Sequence, residues 1–240
     1  MKKYLLITLG AMLLTTLAQA KELPELSNAL ERAVAEQVIP FANERVQQMC
    51  HEWPTCQEWV ANKVEQNPSF KVLDVEVERW LSKWEEDKAI WQYTFYVQTQ
   101  ESGQTKAYKF SSEGQGSSYA APVLIKKFPG HPGTPTEHIS APSSNDAKYS
   151  LCESWPGYKQ WYRQFQSQNG YVSAAVASQY IYKWDTQGNA LWKKRLYVRV
   201  VPHFALTYAF YFQAYQTQAG GDFTYQAPVK MSKFPYRSKF

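Results

Sequence analysis

Apolar residues recur at helical spacing early in the chain, where Leu26, Leu30, Ala33, Val34 and Val38 define one stripe with Ser27 or Asn28 placed to cap it. Pro40 interrupts that stripe, and Phe41, Ala42, Val46 and Met49 resume it on a second helical piece. Pro54 stands at the first position of the next helix, where a missing N–H costs nothing; Trp59, Val60 and Val64 continue its apolar face until Asn67-Pro68 ends it. The pattern then becomes ambiguous. Leu73, Val77, Trp80, Leu81 and Trp84 suit a helix, whereas Leu73, Val75, Val77 and Leu81 suit a strand.

A repeat resolves the ambiguity. Cys50-His51-Glu52-Trp53-Pro54 and Trp59 return as Cys152-Glu153-Ser154-Trp155-Pro156 and Trp161, all at one offset, and Gln66-Asn67 returns as Gln168-Asn169. In the second copy Gln179-Tyr180-Ile181-Tyr182-Lys183-Trp184 leads through Asp185-Thr186-Gln187-Gly188-Asn189 into a second β-rich run, which is a hairpin signature. The equivalent Arg79 to Trp84 segment is therefore a strand as well. Its partner runs from Ile90 to Gln100, matched by Leu191 to Val200; a third strand spans Ala107 to Ser111, matched by Phe204 to Gln216. The fourth is the clearest echo, Tyr119 to Pro129 against Tyr225 to Pro235.

The fold class expected is α+β, a tandem duplication of an α-β-β-β-β unit in which a helix packs on a four-stranded antiparallel sheet, preceded by an extra N-terminal helical arm without a counterpart before Cys152. Each unit resembles the layout of cystatin-like and NTF2-like domains. The resemblance is one of layout and brings no site residue with it. The boundaries are a signal peptide at 1–20, the helical arm at 21–49, the first repeat at 50–129, a Pro/Gly/Ser-rich linker at 130–147 and the second repeat at 148–240.

The leader changes the expected compartment. Lys2 and Lys3 precede an apolar run from Tyr4 to Leu17 and a small-x-small site at Ala18-Gln19-Ala20, which is the secretory pattern. The protein is expected to be periplasmic or secreted, with no transmembrane segment once the leader is removed. Without Lys2 and Lys3 the 26 Lys+Arg fall to 24 against 21 Asp+Glu, a balance that selects no partner. Its distribution says more. The second copy is basic and the first slightly acidic, so the copies attract each other or the second meets an anionic partner.

Candidate chemistry is sparse. The nine Trp fall mostly at equivalent places in both copies, which reads as core, with Trp80 the one placed for exposure beside Asp74, Glu76 and Glu78. Of the three cysteines, Cys50 and Cys152 are repeat equivalents and Cys56 has Tyr158 opposite it. Two disulfides are open: Cys50 with Cys152, favoured by loop entropy at roughly 4.7 kcal/mol, or Cys50 with Cys56, at roughly 2 kcal/mol but close in sequence. His51, His131, His138 and His203 do not form a metal pattern, and neither a nucleophile elbow nor a phosphate loop is present. No catalytic residue, metal or cofactor is called for.

One surface carries a binding hypothesis. On the second copy's central strand Lys193, Arg195, Tyr197 and Arg199 alternate away from the apolar residues Trp192, Leu196, Val198 and Val200, and Tyr211 and Tyr215 lie on the neighbouring strand. The plainer alternative is a solvated face, or one docked on the acidic strand of the first copy. The function expected is a non-enzymatic envelope protein that binds or scaffolds a macromolecule, a protein or an anionic envelope component rather than nucleic acid. The alternatives are a small-ligand binder or hydrolase with a pocket between helix and curved sheet, and a component of a secretion, pilus or conjugation assembly.

Overall fold

The computed structural model describes residues 40–113, 120–132, 144–166, 169–202 and 206–236. The signal-peptide segment, the first helical stripe from Leu26 to Val38, most of the expected linker, His138 and His203 lie outside these. Four helices and one nine-stranded antiparallel sheet make a mixed α+β fold. The helices are α1 (Glu44–Glu52), α2 (Pro54–Gln66), α3 (Asn145–Glu153) and α4 (Tyr158–Gln166). The strands are β1 (Lys71–Glu85), β2 (Lys88–Glu101), β3 (Gln104–Glu113), β4 (Val123–Ile125), β5 (Tyr171–Trp184), β6 (Ala190–Val201), β7 (Tyr208–Gln216), β8 (Phe223–Tyr225) and β9 (Val229–Met231). Across the sheet they run β4-β3-β2-β1-β5-β6-β7-β8, and β9 also pairs with β7.

Local chemistry explains each boundary. Asn43 caps α1 by accepting from the Val46 N–H at 3.0 Å, and Ser144 caps α3 by accepting from the Ala147 N–H at 3.1 Å. α2 opens on Pro54, as its position in the sequence predicts. The β2–β3 turn consists of Ser102 and Gly103, both with positive φ, a conformation whose twist suits a two-residue hairpin. Both long hairpins are interrupted twice: β1 shifts register against β2 at Val72/Asp74 and Leu81/Lys83, and β5 shifts against β6 at Val172/Ala174 and Ile181/Lys183.

Two expectations need correction, and one open alternative is decided. α3 begins at Asn145, inside the stretch read as linker to residue 147, and it stands ahead of Cys152 as α1 stands ahead of Cys50. Among the described residues a helix therefore runs into Cys152 just as one runs into Cys50. The eleven-residue fourth strand is short, reduced to Val123–Ile125 in one half and Val229–Met231 in the other, because the flanking prolines cannot donate to a ladder. The long-loop disulfide is not formed: Cys50 bonds to Cys56 and Cys152 is a buried free thiol.

Two apolar clusters underlie the sheet. In one, Val46, Trp53 and Val60 of the first helix pair pack on Val75, Phe95 and Phe110, with Trp53 stacked on Phe95 at 5.3 Å. In the other, Trp155, Tyr158 and Phe165 pack on Leu196, Val198 and Phe212. Burial of each such ring contributes about 1.5–3 kcal/mol. The first cluster also takes in Val176, Tyr197 and Phe234 from the other half of the chain, so the halves share a core.

The segments after β4 and after β9 act as straps. Lys127 donates to Asn189 in the β5–β6 turn, and Gln216 donates to the Pro132 carbonyl at 3.4 Å. Reciprocally, Lys233 donates to Asp87 and to the Glu86 carbonyl in the β1–β2 turn, and Trp91 Nε1 donates to the Tyr236 carbonyl at 3.3 Å. Each half's trailing segment thus fastens onto the other half's long hairpin. Among the described residues no helix is long and apolar enough to cross a membrane.

Candidate functional site

Strand β6 divides its side chains by parity. Leu196, Val198 and Val200 pack in the cluster of the second helix pair, as the alternation predicts, and the buried Trp192 and Lys194 share their parity. On the opposite face stand Lys193, Arg195, Tyr197 and Arg199, but they do not form one open surface. Tyr197 is only 1% exposed, edge-on to Trp91 at 5.9 Å and inside the shared core. Arg199 lies at 5.5 Å from the Tyr236 ring of the C-terminal strap. The expected six-residue face is therefore split at Tyr197, with its far end under the strap.

The near end remains together. Arg195 stands 5.3 Å from the Tyr211 ring and 5.9 Å from Tyr180, and its Nε donates to Gln213 Oε1 at 3.0 Å. Lys193 lies 5.2 Å from the ring of Tyr182, which meets Tyr215 edge-on at 6.3 Å. Such cation–ring contacts are worth about 0.5–2 kcal/mol each and fix the cations in place. Trp80, the residue expected to be exposed on β1, is instead half-buried and leans on Tyr180 at 6.2 Å. Burial and the Arg195 charge lower the Lys193 ammonium from its usual range. Among the described residues neither Lys193 nor Arg195 is in an ion pair with a carboxylate. Alternation along β6 gave Lys193 and Arg195; Tyr180 and Tyr182 were missed, although the same period on the paired strand β5 places Tyr180 opposite Lys193.

A second polar cluster lies at the seam where β1 meets β5, which are joined by a single register pair, Arg79 with Gln179. Arg79 Nη2 donates to the Ala177 carbonyl at 2.6 Å. Glu78 accepts from the Tyr96 hydroxyl at 2.6 Å and from the Ile181 N–H at 2.5 Å; burial nonetheless raises its carboxyl above the usual range. Glu76 accepts from Gln179 at 3.4 Å. His131, on the strap after β4, places Nδ1 at 2.6 Å from Glu76 and Nε2 at 2.8 Å from Asp74. Hydrogen bonds to Asp74 and then Glu76 raise it to about 9. Lys194, whose ammonium lies 4.3 Å from the Phe223 ring, is lowered by burial to about 8 against the attraction of Glu76.

This seam is held together as a clasp. Both His131 nitrogens are engaged by carboxylates, so the ring serves as a bridging cation with no lone pair for a metal or substrate proton. Among the described residues no group of three His, Cys, Asp or Glu side chains makes a metal site.

No protein family, curated protein or solved structure matches the chain. The paired carboxylates are consumed by the fold, whereas the cations of the strip are oriented by rings and an amide and left with charge to spend. Buried titratable groups also include the Cys152 thiol, which burial pushes up to about 12 beside the Tyr158 hydroxyl; this is the inert end of cysteine behaviour.

Proposed function

We propose that this protein is a non-enzymatic binding module that docks an anionic macromolecule on the strip formed by Lys193, Arg195, Tyr180, Tyr182, Tyr211 and Tyr215. The observation that carries the reading is Arg195: a half-buried guanidinium 5.9 Å and 5.3 Å from the Tyr180 and Tyr211 rings, hydrogen-bonded to Gln213 and Tyr197, and facing no carboxylate among the described residues. Desolvating a cation is costly unless an opposite charge arrives, so an arrangement that orients two cations without neutralising them favours an anionic partner. The Cys50–Cys56 bridge supports an oxidising setting, in keeping with the periplasmic or secreted compartment proposed from the leader.

The architecture proposed with it is a tandem pair of helix-on-meander units, each resembling the cystatin-like and NTF2-like layout. Matching register shifts in the two long hairpins, matching caps on α1 and α3, and reciprocal straps support the duplication. On this reading the two copies have diverged: the first supplies the acidic seam residues and the second supplies the strip.

The test is crosslinking of the purified protein in an envelope fraction beside a Lys193→Glu/Arg195→Glu variant and a Lys148→Glu/Lys159→Glu control of equal charge. One acidic partner captured by wild type and control, and lost with the folded strip variant, is the expected result. Equal capture by all three proteins overturns the strip as the working surface.

A further inference from the structure

We infer that the partner segment is an extended acidic peptide, with carboxylates on alternate residues, lying along β6; this rests on the docking function proposed above. Three features of the strip select that chemistry. First, Lys193 and Arg195 are alternate residues of one strand, which sets their attachment points roughly 6.6–6.8 Å apart. An extended peptide repeats its side chains on one face at the same interval, so two carboxylates meet two cations without bending either chain. Second, the rings are already engaged. The Tyr182 ring is taken by Lys193, and Tyr180 and Tyr211 are taken by Arg195. A single-stranded nucleic acid gains most of its sequence-independent affinity by stacking bases on free aromatic faces, roughly 1–3 kcal/mol per base, and these rings would have to release their cations to provide it. Third, the guanidinium of Arg195 has the Tyr180 and Tyr211 rings at 5.9 Å and 5.3 Å, donates its Nε hydrogen to Gln213 and also hydrogen-bonds the Tyr197 hydroxyl. Its remaining N–H groups can donate to an arriving carboxylate in the guanidinium plane, a geometry an ammonium lacks.

The surroundings fit a peptide lying on the surface. Tyr182 at the hairpin end is exposed on the Lys193 side and offers apolar cover beside the peptide. Gln213 and Gln226, joined by a 2.7 Å hydrogen bond beside Arg195, place amides where a peptide backbone would run. At the other end the buried Tyr197 and the strap over Arg199 stop the track, which limits it to two cations and to a short segment.

The experiment uses three defined probes of equal length and comparable charge: an alternating Glu-Thr peptide, a block peptide with the same composition and its glutamates contiguous, and an oligothymidylate. Binding is read by fluorescence anisotropy at low salt with wild type, Lys193→Gln, Arg195→Gln and Arg195→Lys; amide chemical-shift mapping on wild type locates the contact independently of any variant. The alternating peptide is expected to bind at least tenfold tighter than the oligonucleotide and severalfold tighter than the block peptide. Arg195→Gln is expected to weaken it at least tenfold, and Arg195→Lys severalfold, since lysine keeps the charge and loses the planar donors. If the oligonucleotide binds as tightly through the same residues, or the block peptide does, the alternating-peptide inference is overturned while the anion-docking function stands. If no probe binds, or binding is indifferent to Lys193 and Arg195 with shifts elsewhere, both are overturned.

Discussion

His131 reaches Asp74 and Glu76 with its two ring nitrogens, and only the imidazolium can donate to both at once. Those hydrogen bonds raise it from an ordinary 6.5 to about 9 in the folded chain. The bridge's contribution to stability is therefore fully present below about pH 6.5 and is lost as the pH rises towards 9. Lys194 acts in the opposite sense, because burial lowers it from 10.5 to about 8 and stability rises as the unfolded chain alone holds that proton. The two effects separate by difference. In urea unfolding, wild type should exceed His131→Gln by roughly 1 kcal/mol at about pH 6, a figure discounted for the partly exposed ring, and the gap should close at about pH 9.5 while the Lys194 effect cancels. A gap that does not change with pH would show that the contact is steric. Arg79 is the harsher case. It is 2% exposed and donates to Ala177 across the seam, so Arg79→Met, which keeps the volume and leaves buried acceptors unpaired, should cost roughly 3 kcal/mol in the same assay.

At the scale of elements, what the pattern revealed and what it hid have physical reasons. The long hairpins were legible because β-branched and aromatic residues alternate through them and the turn residues sit between. The helix Asn145–Glu153 was not, since it buries little beyond Cys152 and its polar sequence has no stripe to read; its existence depends on the Ser144 cap and on packing against β5. β4 and β9 were overestimated because a sequence echo reports common descent or common packing, not the number of ladder bonds. The half of the candidate site on β6 was legible from alternation, but the burial of Tyr197 was not, because it depends on the other half's Trp91. The disulfide illustrates the same limit. Loop entropy favoured the longer bridge, but the position of Cys56, six residues beyond Cys50 across the break between α1 and α2, decided the pairing at a Cα separation of 5.4 Å. Such a short loop contributes about 2 kcal/mol, so Cys50→Ala/Cys56→Ala should lower unfolding free energy by about that amount in non-reducing buffer. Reducing agent should do the same to wild type and nothing to the double variant, because Cys152 has no bond to lose.

For the whole molecule the question is whether two units of about a hundred residues unfold separately. β1 and β5 share a single register pair, an attachment that alone would allow independent melting. The shared core argues otherwise: Val176, Tyr197 and Phe234 belong to the cluster built on the first helix pair, and each strap fastens onto the opposite hairpin. Small units bury a modest fraction of their surface, so losing one half would strip apolar cover from the other and bring it down as well. Calorimetry is therefore expected to give one transition whose van't Hoff and calorimetric enthalpies agree. Phe234→Ala, which removes a buried ring from the strap and leaves the sheet's ladders untouched, should cost roughly 3 kcal/mol through its cavity. Because the cost falls on the shared core, it should lower the midpoint of that single transition without splitting it. Two resolved transitions in the wild type would mean that the straps follow the fold of the halves, and the seam would then be a docking of independent domains.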